Sequence, residues 1–350
     1  MLRLSCQIEI LHDHKKITFP YVSEVSVNTS IENYTDTCTV KLPKKIKFQN
    51  KNATEYIANG DQITVKLGYN DDLKIVFKGY ITKINIGLPI VLECENEAYM
   101  LKRLYVKEET IENFDLQKFC KEYLDSNYLK EGNIDNVTLQ KKKNPDNTEE
   151  KKILFKETQT FTAALDYLKK EHDVKQYFYF TLNEEEKPEF YGKDAKSPKL
   201  RNDAKTITFG ATKNIISMDK LEYLLGKEVQ VIARGISQDS DGKDISLEEK
   251  HPVGVNAPAF YLPAYNYHVN KEFLQDKAKA EYKNLSSSKI TGEFTAFGIP
   301  FVRKGDVIKF SESDIKAIDG KTIKVKGVTY TFGKDGYRQK IQLGEEVKEK

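Results

Sequence analysis

The sequence has no tryptophan, only three methionines and only four cysteines in 350 residues. Cys6, Cys38, Cys94 and Cys120 form no CxxC pair, and each sits in an apolar-periodic stretch. That excludes the common zinc and dithiol spacings and reads as four buried free thiols. Arginine is scarce: Arg3, Arg103, Arg201, Arg234, Arg303 and Arg338 are all there are within a Lys plus Arg total of 56, and the net charge is only +3. Readers of nucleic acid rely on guanidinium forks and a basic stripe, so no specific nucleic-acid contact is expected. No apolar run reaches about 18 residues, and the start, Leu2 to Ile10, is strand-like rather than a leader. The expectation is a soluble chain made in the cytoplasm, with no stable membrane insertion.

Catalytic signatures are missing as well. GxSxG, HExxH, Walker A and GxGxxG do not occur. His12 and His14 are spaced to share one strand face and read as solvated polar residues rather than a metal pair. Asp239, Asp241 and Asp244 around Gly242 lack the order and closing Glu of an EF-hand and read as an acidic turn. Glu93 and Glu95 are near neighbours without a cleft to define them as a catalytic pair. With no nucleophile or base to name, no enzyme activity, cofactor or metal is expected.

What is present is an aromatic-rich, well-solvated composition. The chain has 20 Tyr and 18 Phe, 39% hydrophobic and 31% charged residues, and a mean hydropathy of -0.60. It also contains a long repeat. Gly60-Asp61 is followed by a strand through Leu67, a polar gap, Ile75 to Lys78, Gly79, and a further strand to Ile84. Gly305-Asp306 is followed by Val307 to Phe310, a gap, Ile323 to Lys326, Gly327, and Val328 to Phe332. Ile63, Val65 and Leu67 alternate with polar residues, as a half-buried strand does. The apolar phase moves after Gly79 to Tyr80, Ile84 and Ile86, and after Gly327 to Val328, Tyr330 and Phe332, which predicts a bulge or bend at each glycine. Asp335-Gly336 predicts the closing hairpin turn of the second copy, and Gly87-Leu88-Pro89 that of the first.

The texture between the copies differs. Leu116, Phe119, Cys120, Tyr123 and Leu124 predict a helix over Asn113 to Asp125. Phe161, Leu165 and Leu168 predict another to about Glu171, capped by Thr160. Gln140 to Lys152 reads as an exposed loop, and Tyr177 to Thr181 as a buried strand. Pro252 to Tyr267 is Pro- and Tyr-rich, and Phe273, Leu274, Ala278, Tyr282 and Leu285 mark a third helix. The fold class is therefore α+β, mainly β: two related β-barrels with a small α+β domain between them. The expected divisions are a first barrel over 1–104, a middle domain over 105–202, a second barrel from 203–236 plus 288–345, an insertion over 237–287, and a charged tail over 346–350.

The stretch Gly60 to Lys102, with Gly68-Tyr69, Phe77 to Ile81 and Leu92 to Glu97, resembles the phage late-control D proteins, baseplate hubs of contractile tails. The second half resembles them through Gly292, Gly298-Ile299-Pro300, Lys304-Gly305-Asp306 and Gly336-Tyr337-Arg338-Gln339. The likeness covers most of residues 20 to 345. It is shared with the amino-terminal part of type VI secretion spike proteins. It implies a structural role in the virion tail baseplate, assembled in the host bacterial cytoplasm. It also implies a homotrimer whose six barrels join the hexameric tail tube to a threefold spike, with other baseplate proteins as further partners. Because the chain ends soon after its last strand, the spike is expected to be a separate protein. Two other readings stand beside it: a carbohydrate or cell-wall binding module using Tyr261, Tyr265 and Tyr267, and a peptidoglycan hydrolase housed in the middle domain.

Overall fold

The computed structural model describes residues 2–43, 47–48, 51–52, 57–135, 142–143, 149–150, 153–172, 174–210, 212–238, 243–265, 269–311 and 318–347. Its longer strands are β1 (Leu4–His12), β2 (Lys15–Phe19), β3 (Glu24–Ser30), β4 (Thr37–Leu42), β5 (Gln62–Tyr69), β6 (Asp72–Asn85) and β7 (Ile90–Glu95). Then come α1 (Leu116–Tyr123), α2 (Phe161–His172), β8 (Gln176–Leu182), β9 (Pro188–Asp194), β10 (Thr206–Gly210) and β11 (Ile215–Leu224). The remainder holds β12 (Gln230–Gln238), β13 (Asp244–His251), β14 (Ala259–Tyr261), α3 (Lys271–Ser286), β15 (Lys289–Phe297), β16 (Val307–Ser311), β17 (Thr322–Gly333) and β18 (Gly336–Glu346). The class is α+β, mainly β, as the composition predicts.

Two compact units divide the chain. The first comprises Met1–Gln140, Lys152–Leu221 and Gly292–Lys350; the second comprises Lys141–Lys151 and Glu222–Thr291. In the first, one 13-stranded sheet runs β11-β15-β18-β17-β3-β4-β7-β6-β5-β1-β2, with β16 also on β17 and β10 on β16. Both copies of the repeat thus lie in one sheet, joined where β17 pairs antiparallel with β3, from Gly327 opposite Ser30 to Phe332 opposite Val25. The buried residues keep the period of two: Ile63, Val65 and Leu67 on β5 and Val25 and Val27 on β3 are all 1% exposed or less.

The α+β segment has its own core. α1 starts at Asp115, whose carboxylate accepts from the Lys118 amide, and it buries Leu116, Phe119 and Cys120. The predicted span of 113–125 is longer because the flanking residues continue the apolar pattern outside helical geometry. Thr160 Oγ1 accepts from the Ala163 amide at the start of α2, which buries Phe161, Leu165 and Leu168. The predicted strand at Tyr177 to Thr181 is β8, paired with β9, with Tyr179 stacked on Tyr191.

In the second unit, β12 pairs with β13 and with β14, and α3 covers one face through Leu274 and Ala278 against Val231 and Ala233. Asn270 caps α3 by accepting from the Phe273 amide. The sequence division assigned residues up to 236 to the second barrel; β12 instead finds its ladder partners after it, at 244–251 and 259–261. Glu346, expected in the tail, closes β18 opposite Ile323. The Gln140 to Lys152 loop lies almost wholly outside the described residues, as do Asp239, Asp241, Gly242, Tyr267, His268 and residues 348–350.

Candidate functional site

The two Gly-Asp turns are one device built twice. At the first, the Asp61 amide donates to the Ala58 carbonyl at 3.2 Å, and the Ala58 amide returns to Asp61 Oδ2 at 2.7 Å. The Gly60 amide donates to Ile81 O at 2.7 Å, and the Ile81 amide to Asp61 O at 2.9 Å. At the second, the Asp306 amide donates to Arg303 O at 3.1 Å and the Arg303 amide to Asp306 Oδ2 at 2.8 Å. The Gly305 amide donates to Val325 O, and the Val325 amide to Asp306 O, each at 2.8 Å. Gly60 and Gly305 have φ of +94° and +83°, a region that glycine enters without a Cβ penalty. The repeat is therefore structural, and Ile81 is the counterpart of Val325.

That correspondence revises the glycines. The phase change in the first copy is not at Gly79, which stays in phase with buried Phe77 and Ile81. It occurs at Thr82, the extra residue between Ile81 opposite Cys94 and Lys83 opposite Glu93. In the second copy Lys326 is the extra residue, between Val325 opposite Leu343 and Gly327 opposite Gln342. The two bulges match, whereas Gly79 and Gly327 do not. Gly79 serves a close approach instead, since a Cβ there meets Glu95 O at 2.1 Å. At Gly327 a Cβ meets Thr29 O at 2.7 Å, on the strand that joins the copies. Lys334 and Asp335 form the hairpin loop, and Gly336 follows with φ +94°.

The copies differ in what their aspartates hold. Asp61 meets His12 Nδ1 at 3.0 Å near the surface. Asp306 is buried and meets Arg201 Nη2 at 2.6 Å, while Arg201 Nε lies 2.7 Å from Asp203. Burial raises the Asp306 carboxyl, against the pull of Arg201 and the backbone amides of Arg303 and Lys205. Beside it Lys304 Nζ lies 2.6 Å from Asp36 Oδ1 and donates to Ser30 O at 3.2 Å, with the Tyr179 ring 5.4 Å away. Burial pushes the Asp36 carboxyl up and the Lys304 ammonium down, and each opposes the shift in the other. Asp36, Lys304, Asn96, Glu97 and Tyr330 line a small, partly open cavity of about 40 Å³. Sequence reading missed Asp36 and Arg201 because their partners are 268 and 105 residues away.

Other singled-out residues do not converge. His14 lies in the β1–β2 turn at φ +64°. Glu93 binds Lys83 and Asn85, whereas Glu95 binds Lys102. The cysteines are buried and free; Cys38 and Cys94 stand opposite each other on β4 and β7. Tyr261 is exposed with Arg234 4.5 Å over its ring, and Tyr265 packs edge-on to Phe273. Among the described residues no group of His, Cys, Asp and Glu could hold a metal ion, and no helix is long and apolar enough to cross a membrane.

No family model matches the chain, and no curated protein matches it in sequence. Solved structures do match in fold. A tail protein from Neisseria meningitidis MC58 aligns over 97% of this chain and 96% of its own, with TM-score 0.60 and 15% identity. The 43 kDa tail protein of prophage MuSo2 from Shewanella oneidensis aligns over 97% of both chains, with TM-score 0.59 and 12% identity. A chain of the Francisella PdpA-VgrG complex aligns over 99% of this chain but 58% of its own, with TM-score 0.60 and 10% identity. The fold is that of these tail proteins and of part of a chain of the PdpA-VgrG complex.

Proposed function

We propose that this chain is a structural hub of a contractile-tail baseplate, in a phage or a phage-derived injection device. The observation that carries the proposal is the pair of equivalent Gly-Asp modules within one sheet, in a fold shared end to end with phage tail proteins. A chain with two like modules presents six of them when three copies close around an axis. It can then meet a hexameric tube on one side and a threefold spike on the other. Closed cyclic symmetry is the usual way to satisfy head-to-tail interfaces. On this reading the chain works by shape and assembly rather than by turnover. Its partners are two further copies of itself, the tube protein, a spike and other baseplate proteins, and its place is the virion tail.

Light scattering and negative-stain imaging of the purified chain, with and without the tube protein, test this. A threefold ring with a lumen is the expected result. A strict monomer that binds neither tube nor spike overturns the hub reading and favours a glycan-binding role for the exposed Tyr261.

A further inference from the structure

Lys304 and Asp36 meet as reactants as well as partners. Lys304 directly precedes the Gly305 turn, and Asp36 lies between β3 and β4. Nζ is 2.6 Å from Oδ1, and both side chains are buried. An ammonium is no nucleophile and a carboxylate is a poor electrophile. Moving one proton from Nζ to the carboxylate within the contact gives a neutral amine beside a neutral carboxylic acid, with no exchange with solvent. Burial favours that neutral form from both sides, since it raises the Asp36 carboxyl and lowers the Lys304 ammonium. A desolvated lysine amine is a nucleophile.

The surroundings carry the other parts of the reaction. Asp36 Oδ1 accepts from the Ser30 amide at 3.2 Å, and the Asn96 side chain also donates to the carboxyl. Asn96 Oδ1 is taken by the Ala98 amide at 3.1 Å, which leaves Nδ2 as that donor. Both donors bear on the negative charge that grows on a carboxyl oxygen as Nζ adds to Cγ. Both reactants are also held in place: the Asn96 amide donates to Asp36 O at 3.1 Å, and Nζ donates to Ser30 O. Glu97 lines the same cavity. Burial raises its carboxyl, against hydrogen bonds from Tyr80 and Tyr128, so it keeps its proton above the ordinary range and is an acid for a leaving hydroxyl. The cavity, of about 40 Å³, has room for the water that departs.

We propose that Lys304 and Asp36 close an intramolecular isopeptide bond. The Nζ–Cγ bond forms and a Cγ–O bond breaks. The amine gives one hydrogen, the carboxylic acid gives its hydroxyl, and the two leave as water; nothing is oxidised or reduced. The ion pair is the reactant state, carried by freshly folded protein, and the amide accumulates as the folded chain ages. The reaction removes two charges whose burial is costly. It also fastens the segment before β4 to the second Gly-Asp turn across 268 residues of chain. The two copies of the repeat, already joined through β17 and β3, become one covalent unit. The bond needs no partner, so its test stands apart from the hub reading.

Intact-mass spectrometry of the full-length folded chain, fresh and through days of incubation at physiological temperature, is the test. A species lighter by one water is expected to grow in, and proteolysis of it is expected to yield one branched peptide joining Asp36 to Lys304. Lys304→Arg keeps a cation but offers no reactive amine, and is expected to hold its full mass. Glu97→Gln is expected to slow the loss of water about a hundredfold; an unaltered rate overturns the part given to Glu97. A wild-type chain that stays folded by circular dichroism and holds its full mass throughout overturns the proposal. So does a loss of water that maps to a cyclised aspartate rather than to a branched peptide.

Discussion

Lys304 Nζ lies 2.6 Å from Asp36 Oδ1, with both side chains buried, and so ties the second Gly-Asp turn to the segment between β3 and β4. Ser30 contributes its carbonyl to Lys304 and its amide to Asp36. An ion pair this deep gains little over an apolar pair, because desolvation offsets attraction, but losing one partner strands the other.

Lys304→Met alone is therefore expected to destabilise the chain by about 3–5 kcal/mol. Lys304→Met with Asp36→Leu is expected to recover most of that loss. Urea denaturation of the three proteins checks it; a double variant no better than the single would show that the pair does more than satisfy burial.

The two turn aspartates should respond unequally although their backbone bonds are the same. Asp306→Ala removes one of the two carboxylates paired with buried Arg201, the other being Asp203, and is expected to cost about 3–5 kcal/mol. Asp61→Ala loses a turn cap and a part-buried contact to His12, which is expected to cost about 1 kcal/mol. Equal losses in thermal unfolding would refute the distinction.

Much of the architecture was legible because it is written in short-range pattern. Alternation marked β5, turn chemistry marked Gly60, Gly305 and Gly336, and apolar spacing marked α1, α2 and α3 but not the short helix Ala98–Leu101. Gly79 shows the limit. Its neighbours carry the same letters as those of Gly327, Lys before and apolar after, but Gly79 answers a close approach to Glu95 O and Gly327 one to Thr29 O beside a bulge. Thr82, the true counterpart of the bulged Lys326, has no residue-type signature. Arg201 and Asp36 were invisible for a different reason: a buried charge is recognised by its partner, and neither partner is near in sequence.

Gly79→Val tests the close approach. A side chain there meets backbone, which cannot move aside as a side chain tip can, so a loss of about 1–3 kcal/mol is expected. Gly60→Val, where a Cβ meets nothing within 4 Å, isolates the cost of a positive φ, about 1–3 kcal/mol. Thermal melts separate the causes: Gly60→Asn should recover most stability, because Asn tolerates the left-handed region, whereas Gly79→Asn should not.

Acid sensitivity should track Glu189. Burial alone raises its carboxyl, but hydrogen bonds from Lys130, Tyr191 and Asn183 outweigh burial and hold it below the ordinary range. The unfolded chain then takes up this proton first as pH falls, since an unperturbed glutamate titrates at about 4.3. Its contribution is complete above that value and is lost as pH drops through the folded-state one. Glu189→Gln should lower stability at neutral pH and flatten the fall in melting temperature below about pH 4.3. A variant whose acid limb stays parallel to that of the wild type would mean that other carboxylates, such as Glu9 between Lys16 and Lys66, govern acid unfolding.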